Sequence, residues 1–176
     1  MAGPLADYLD LRFAVSDLVG SREISDVMQR LVLQAEIVLN RRLRTQWQIV
    51  EFTPAWTGNE APLPDDFEQL VGSDNQLSAS NGTLYRKPYR TFPDGICYYA
   101  KIPTITTSPT SSNWLLEQFP DAYLFATAYQ AAKHLNLPDL ATGMDQALTG
   151  ELMAIKVEDE RARYSNKSVR VAGCTP

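Results

Sequence analysis

Ser112-Asn113-Trp114-Leu115-Leu116-Glu117-Gln118-Phe119-Pro120-Asp121-Ala122-Tyr123-Leu124-Phe125-Ala126-Thr127-Ala128-Tyr129-Gln130-Ala131-Ala132 is the stretch on which the fold turns. A short aromatic helix stops at Pro120, because proline restricts the residue before it and lacks the N–H that would continue the ladder. The same proline suits the first position of a new helix, so a second one begins at once. That second helix has small residues on one face and large rings on the others. Nothing in the stretch forms a recognised acid, base, nucleophile or metal-ligand arrangement. It is a packing signature, and it argues for assembly.

Outward toward the C-terminus, residues 121–135 place Leu124, Ala128, Ala131 or Ala132 and Leu135 along one helical face. Pro138 opens a last helix carrying Leu140, Met144, Leu148, Leu152, Ile155 and Ala162 at roughly four-residue spacing. Gly143 and Gly150 each cost that helix about 1 kcal/mol against alanine, or else mark the close approach of another backbone. The charged run Lys156 to Arg163 reads as its solvated end, and no helical periodicity continues beyond Tyr164.

Toward the N-terminus, residues 104–112 form a Thr/Ser/Pro run, long enough to cross the body and too short to separate domains. Before it lies a strand pattern, Gly95 to Pro103, rich in rings and branched side chains. Asn81-Gly82 is a hairpin signal. Leu63-Pro64-Asp65-Asp66-Phe67 reads as a one-turn helix opened by proline. Trp47, Ile49 and Phe52 precede a run of prolines and glycines, which predicts a strand and then a loop. The middle third is thus predicted to be a β element of three to five short strands.

At the beginning of the chain, Leu5, Tyr8, Leu9, Leu11, Phe13, Val15 and Leu18 give mostly helical spacing, with Gly20 as a stop. A second helix is predicted from a Ser21 cap with Glu23 near its positive end. Its stripe is Ile24, Val27, Met28, Leu31, Ala35, Val38 and Leu39, and it ends near Leu43. Arg41, Arg42 and Arg44 fall at its negative end, which favours cations there. They are also candidates for charge contacts to an acidic neighbouring subunit.

The fold class is therefore α+β, mainly α: a bundle of four to five helices, a small inserted antiparallel β element and an extended C-terminal tail. One domain is predicted over residues 1–163, helical over 1–44 and 112–163 with the β insertion at 45–111, followed by a tail at 164–176. With 176 residues and 44% hydrophobic content, such a chain holds a core without disulfides or metals. Met1 to Asp7 shows no basic region leading into an apolar core, and no window approaches the ~20 apolar residues of a membrane span. A soluble, non-secreted protein is expected. Cys97 and Cys174 lack a paired spacing, which predicts two free thiols, the first as a small buried hydrophobe in a strand.

The formal charge is −5. Residues 161–176 contain Arg161, Arg163, Lys167 and Arg170 and no carboxylate, a balance of +4 that leaves −9 on the rest. An acidic body is a poor grip for duplex DNA, since phosphate neutralisation supplies most non-specific affinity. Catalytic signals are weak. The one histidine, His134, sits beside Lys133 near a helix end, and no G-x-S-x-G, Walker-type, G-x-G-x-x-G or H-E-x-x-H pattern occurs. Two cysteines and one histidine make no zinc tetrad. No cofactor and no enzymatic activity are predicted. Asp65, Asp66 and Glu68 invite an acid-base reading, but the start of a helix accounts for them without chemistry.

In order, the chain shows a helix, a long helix ending in arginines, Leu63 to Phe67, Tyr98 to Pro103, Asn113 to Leu116, Pro120 to Leu124 and closing helices. This order resembles the head-to-tail adaptor (connector) proteins of tailed bacteriophages. Residues 73–93 are longer and more polar than a minimal member would need. The resemblance implies a structural protein of the virion neck, made in the host cytoplasm. It would form a ring, typically of twelve copies, between the portal protein and the next tail or neck component. DNA would pass through without sequence-specific binding, and no membrane is involved. Trp114, Leu115, Tyr123 and Phe125 would then pack subunits together. Asn166, Lys167, Val169, Arg170 and Val171 would form a portal-binding tail, where the alternation of Val169 and Val171 suits strand addition to a sheet edge. The alternative is an interaction module outside the virion that recruits a partner through its basic tail.

Overall fold

Among the described residues, five α-helices and six strands follow in the order α1 (Tyr8–Val19), α2 (Met28–Arg42), β1 (Ile49–Phe52), β2 (Glu60–Pro62), β3 (Phe67–Leu70), β4 (Leu77–Ser80), β5 (Thr83–Arg86), β6 (Ile96–Ala100), α3 (Trp114–Gln118), α4 (Pro120–His134) and α5 (Pro138–Tyr164). The computed structural model describes residues 5–20, 24–72, 76–87 and 95–164. The fold is mixed and mainly helical, as the sequence patterns require.

α4 is the hub. Its buried residues Ala122, Tyr123, Ala126, Thr127, Ala128, Gln130, Ala131 and Ala132 occupy most of its circumference, so it is covered on nearly all sides. Alanines let neighbouring backbones come close, and α1, α2, α3 and α5 all pack on it. The core around it takes Leu11 and Val15 from α1, Leu31, Val32 and Leu39 from α2, Leu115 and Leu116 from α3, and Leu148, Leu152 and Ile155 from α5. Local chemistry sets the ends. Asp7 caps α1, its carboxylate accepting from the Asp10 N–H at 3.0 Å, and Gly20 closes it in the left-handed region (φ 66°). Asn113 caps α3 by accepting from the Leu116 N–H at 3.0 Å.

The β element has six strands in two antiparallel three-stranded sheets, β1-β6-β3 and β2-β5-β4, more than the three to five expected from sequence. Two segments account for the difference. Glu60–Pro62, which the surrounding prolines and glycines mark as loop, pairs with β5 as an edge strand, where a missing N–H is tolerated. The predicted one-turn helix at Leu63 to Phe67 is instead a turn, with the Phe67 N–H donating to the Pro64 carbonyl at 3.1 Å, and it launches β3. The β4–β5 hairpin forms on Asn81 (φ 49°) and Gly82 (φ 73°), the paired positive angles of a two-residue hairpin turn.

Three further expectations change. α2 begins at Met28 with Val27 as its cap; Ile24 is still buried, but in a turn ahead of the helix. Ser21 and Glu23 lie outside the described residues. Cys97 is exposed, because β6 alternates and Ile96, Tyr98 and Ala100 take the inner face. The charged end of α5 is not wholly solvated, since Asp159 is 4% exposed. Its carboxylate accepts from the Gln46 N–H at 2.7 Å and pairs with Arg163 at 2.8 Å.

Candidate assembly surfaces

Tyr123 stands at the centre of a buried polar cluster. Its hydroxyl donates to Glu36 Oε1 at 2.9 Å and accepts from Asn113 Nδ2 at 2.7 Å. Asn113 also donates to the Pro103 carbonyl at 2.6 Å, and Glu36 Oε1 accepts from the Ile105 N–H at 2.8 Å. Burial pushes the Glu36 carboxyl above the usual glutamate range, against the hydrogen bonds that favour its charge. Burial, and then the Glu36 charge, pushes the Tyr123 phenol far up, so the hydroxyl keeps its proton.

The same cluster orders residues 102–105, where the strand pattern at 95–103 meets the Thr/Ser/Pro run at 104–112. These residues lie against α2 and take hydrogen bonds from that helix's side chains, whereas residues 107–110 bend and turn. Asn40 accepts from the Ile102 N–H at 2.8 Å, Glu36 from Ile105, and Gln29 donates to the Ile105 carbonyl at 2.9 Å. Further on, the Tyr8 N–H donates to the Ser111 carbonyl at 2.9 Å. Buried backbone must find partners, and here α2 supplies them.

The residues named from sequence as subunit contacts divide in two. Leu115 and Tyr123 are fully buried within the protomer. Trp114 and Phe125 are only part-buried. Trp114 stacks on Trp47 with centroids 6.3 Å apart, and Phe119 meets Trp47 edge-on at 5.2 Å, so one side of the α3 ring cluster is occupied by its own chain. The arginines divide likewise. Arg42 pairs with Asp145 on α5 at 2.9 Å. Arg44 reaches Glu68 at 3.5 Å and donates to the Asn40 and Leu43 carbonyls. Arg41 is exposed and, among the described residues, makes no ion pair. Asn166, Lys167, Val169, Arg170 and Val171 lie outside the described residues, as does Cys174.

The carboxylates considered for acid-base work are dispersed. Asp66 accepts from the Tyr98 hydroxyl at 2.8 Å; burial, followed by this hydrogen bond and charge, pushes the Tyr98 phenol up to about 12. Glu68 pairs with Arg44, and Asp65 faces an open depression of about 460 Å³ beside Lys101 and Asn81. His134 is exposed. Among the described residues, no group of three or more His, Cys, Asp or Glu side chains is placed to hold a metal, and no helix is long and apolar enough to cross a membrane.

Sequence reasoning missed what the outer faces of α1 and α2 carry. Phe13 was counted in the α1 core stripe, yet it is 55% exposed; Leu33 and Ile37 on α2 are 41% and 52% exposed. The available signal was that Leu33 and Ile37, one turn apart, fall off the stripe that the rest of α2 defines.

No curated protein matches the chain. A protein-family model does: residues 93–172, a stretch that includes β6, α3, α4 and α5, match the family described as SU10 adaptor protein, which supports a phage head-to-tail adaptor family.

Proposed function

We propose that the protein is a structural adaptor in the neck of a tailed phage, forming a ring beneath the portal, joining capsid to tail and continuing the DNA channel. The family match over residues 93–172 carries this reading, because the matched stretch contains the hub helix on which the other helices pack. An adaptor of this family works with other capsid or tail proteins and resides in the virion. Apolar side chains left open on three helices, Phe13, Leu33, Ile37, Met153 and Val157, support a role in assembly. In the ring, Trp114, Phe125 and Arg41 are the sequence-named candidates with surface left for a neighbour. Leu115 and Tyr123 would act from inside by holding α3 and α4 in shape. Residues 166–171 would reach the portal by strand addition.

The charge suits a conduit. Each copy carries −5, and a ring of like-charged copies repels phosphate, so DNA passes without adhering. Lysine in place of carboxylates that face the lumen should slow ejection; unchanged ejection and infectivity would count against that wall of charge. The decisive test is to mix the purified chain with its phage's portal ring and image the product by cryo-microscopy. A second ring stacked on the portal is the expected result. A chain that stays unassociated with the portal present would overturn the proposal.

A further inference from the structure

We infer that copies of this chain join head to tail, α1 of one protomer packing on α2 of the next; this rests on the ring reading above and names the surfaces that would build it. On α1, exposed Phe13 has Asp10 three residues before it and Asp17 four residues after it, both exposed and on the same helical face. On α2, Leu33 and Ile37 are flanked by Arg30 three residues before and Arg41 four residues after, again exposed and on one face. Along each helix an apolar centre thus lies between two like charges, opposite in sign on the two helices; Glu68 and Lys101, one of each sign, border the α2 face beside Ile37 and Arg41.

Asp10, Asp17, Arg30 and Arg41 take part in no ion pair among the described residues. Asp10 accepts from the Ala6 N–H at 3.2 Å, and Arg12 lies over the Phe13 ring at 5.7 Å. The dimensions also match. At 1.5 Å per residue, Asp10 and Asp17 are about 10 Å apart along α1, and Arg30 and Arg41 about 16 Å apart along α2. The carboxylates therefore fall between the arginines, a few ångströms from each and within reach of a flexible arginine side chain. Phe13 then meets the gap between Leu33 and Ile37 as a ridge meets a groove.

Complementarity selects the occupant. α1 against α1 would oppose carboxylates, and α2 against α2 would oppose guanidinium groups; both are disfavoured. One chain carries both halves of a matched pair, so the fitting partner is a second copy. A contact between two different patches propagates from copy to copy and closes into a ring when the rotation allows. The exposed Met153–Val157 face of α5 has Lys156, Glu160 and Arg161 around it, of both signs, and selects no partner in this way.

The test uses Phe13→Glu, which disables the α1 face, and Ile37→Glu, which disables the α2 face. Oligomeric state is read by analytical ultracentrifugation of the full chain, alone and with portal rings, at low and high salt. Wild type should assemble, less so at high salt, and each variant alone should self-associate about tenfold or more weakly. Mixed together, the two variants should form a one-to-one pair that grows no further, since each still has one intact face. Assembly of either variant as well as wild type, or no pair in the mixture, would overturn this inference and leave the ring standing. A wild-type chain that never assembles, even on portal, would overturn both. Phe13→Gln and Ile37→Gln replace the glutamate variants if circular dichroism shows lost helix.

Discussion

Replacing Tyr123 with phenylalanine removes one oxygen from the interior and leaves the ring. The hydroxyl makes two buried hydrogen bonds, to Glu36 at 2.9 Å and from Asn113 at 2.7 Å. A bond to a carboxylate contributes about 1.5–3 kcal/mol and a neutral one about 0.5–1.5 kcal/mol. The losses are partly covered, because Glu36 keeps the Ile105 N–H and Asn113 keeps the Pro103 carbonyl. A net cost of about 2–3 kcal/mol follows. Urea unfolding should show a lower midpoint with an unchanged slope, since the surface exposed on unfolding is the same. In a double-mutant cycle with Glu36→Gln, the two sites should couple by about 1 kcal/mol or more, as groups sharing a hydrogen bond do. A cost below about 0.5 kcal/mol, within the range of a neutral surface change, or strict additivity, would refute the cluster as the lock between α2 and α4. Because Tyr123 is wholly inside its protomer, Tyr123→Phe should assemble normally at temperatures where it remains folded.

Three other substitutions test the interior. Burial raises the folded pKa of Glu36 above its unfolded value, so its contribution is most favourable below the ordinary glutamate range and is lost as pH rises through the raised value. Glu36→Gln should therefore gain stability relative to wild type as pH climbs from that range toward neutrality, read from denaturation midpoints across pH; a pH-independent difference would contradict it. Thr127 is fully buried on α4 and its hydroxyl has no hydrogen-bond partner among the described residues, so Thr127→Val should be neutral or stabilise by about 1 kcal/mol, and a lower melting temperature would show the hydroxyl to be satisfied. Asp159→Ala removes the acceptor for the Gln46 N–H and the partner of Arg163. It should cost about 2–4 kcal/mol and speed amide exchange at Gln46 ahead of the helical core; unchanged exchange there would rule out a clamp.

The helices were legible because their signals are local. Pro120, Pro138 and Gly20 mark ends that proline and glycine chemistry dictates, and α4 announces itself by alternating alanines with rings. The β element was less legible, since Glu60–Pro62 becomes a strand only when β5 is there to pair with it, a non-local fact that Pro62 and the prolines around it argue against. The stretch at residues 102–105 has no periodicity to read; its order comes from Gln29, Glu36 and Asn40, spaced along a helix more than sixty residues away. Glu36 sat unremarked on α2 because a lone glutamate in a helix normally faces water. An aromatic sequence signals burial without saying whether the cover is the same chain or another, and Tyr123 and Leu115 went to their own core.

The polar links give the adaptor reading a mechanical basis. Glu36, Asn40 and Gln29 fasten the segment between β6 and α3 to α2, while Gln48 donates from the start of the insertion to the Ala100 carbonyl at 3.2 Å. Asp159 fixes the same entry point to the far end of α5, and Arg163 beside it reaches Tyr99. The insertion is therefore held to the bundle at both of its ends, by directional bonds rather than by apolar contact alone. Directional bonds restrict sliding, which a purely apolar seam permits at smaller cost. A small error in the angle between neighbouring faces, repeated around a ring, decides between closure and an open spiral. A protomer whose faces lie on helices tied this way presents them at fixed angles. For the proposed ring, loosening Asp159 should therefore broaden the distribution of ring sizes, counted by electron microscopy, before it abolishes assembly; an unchanged distribution would refute this role for the buried charge.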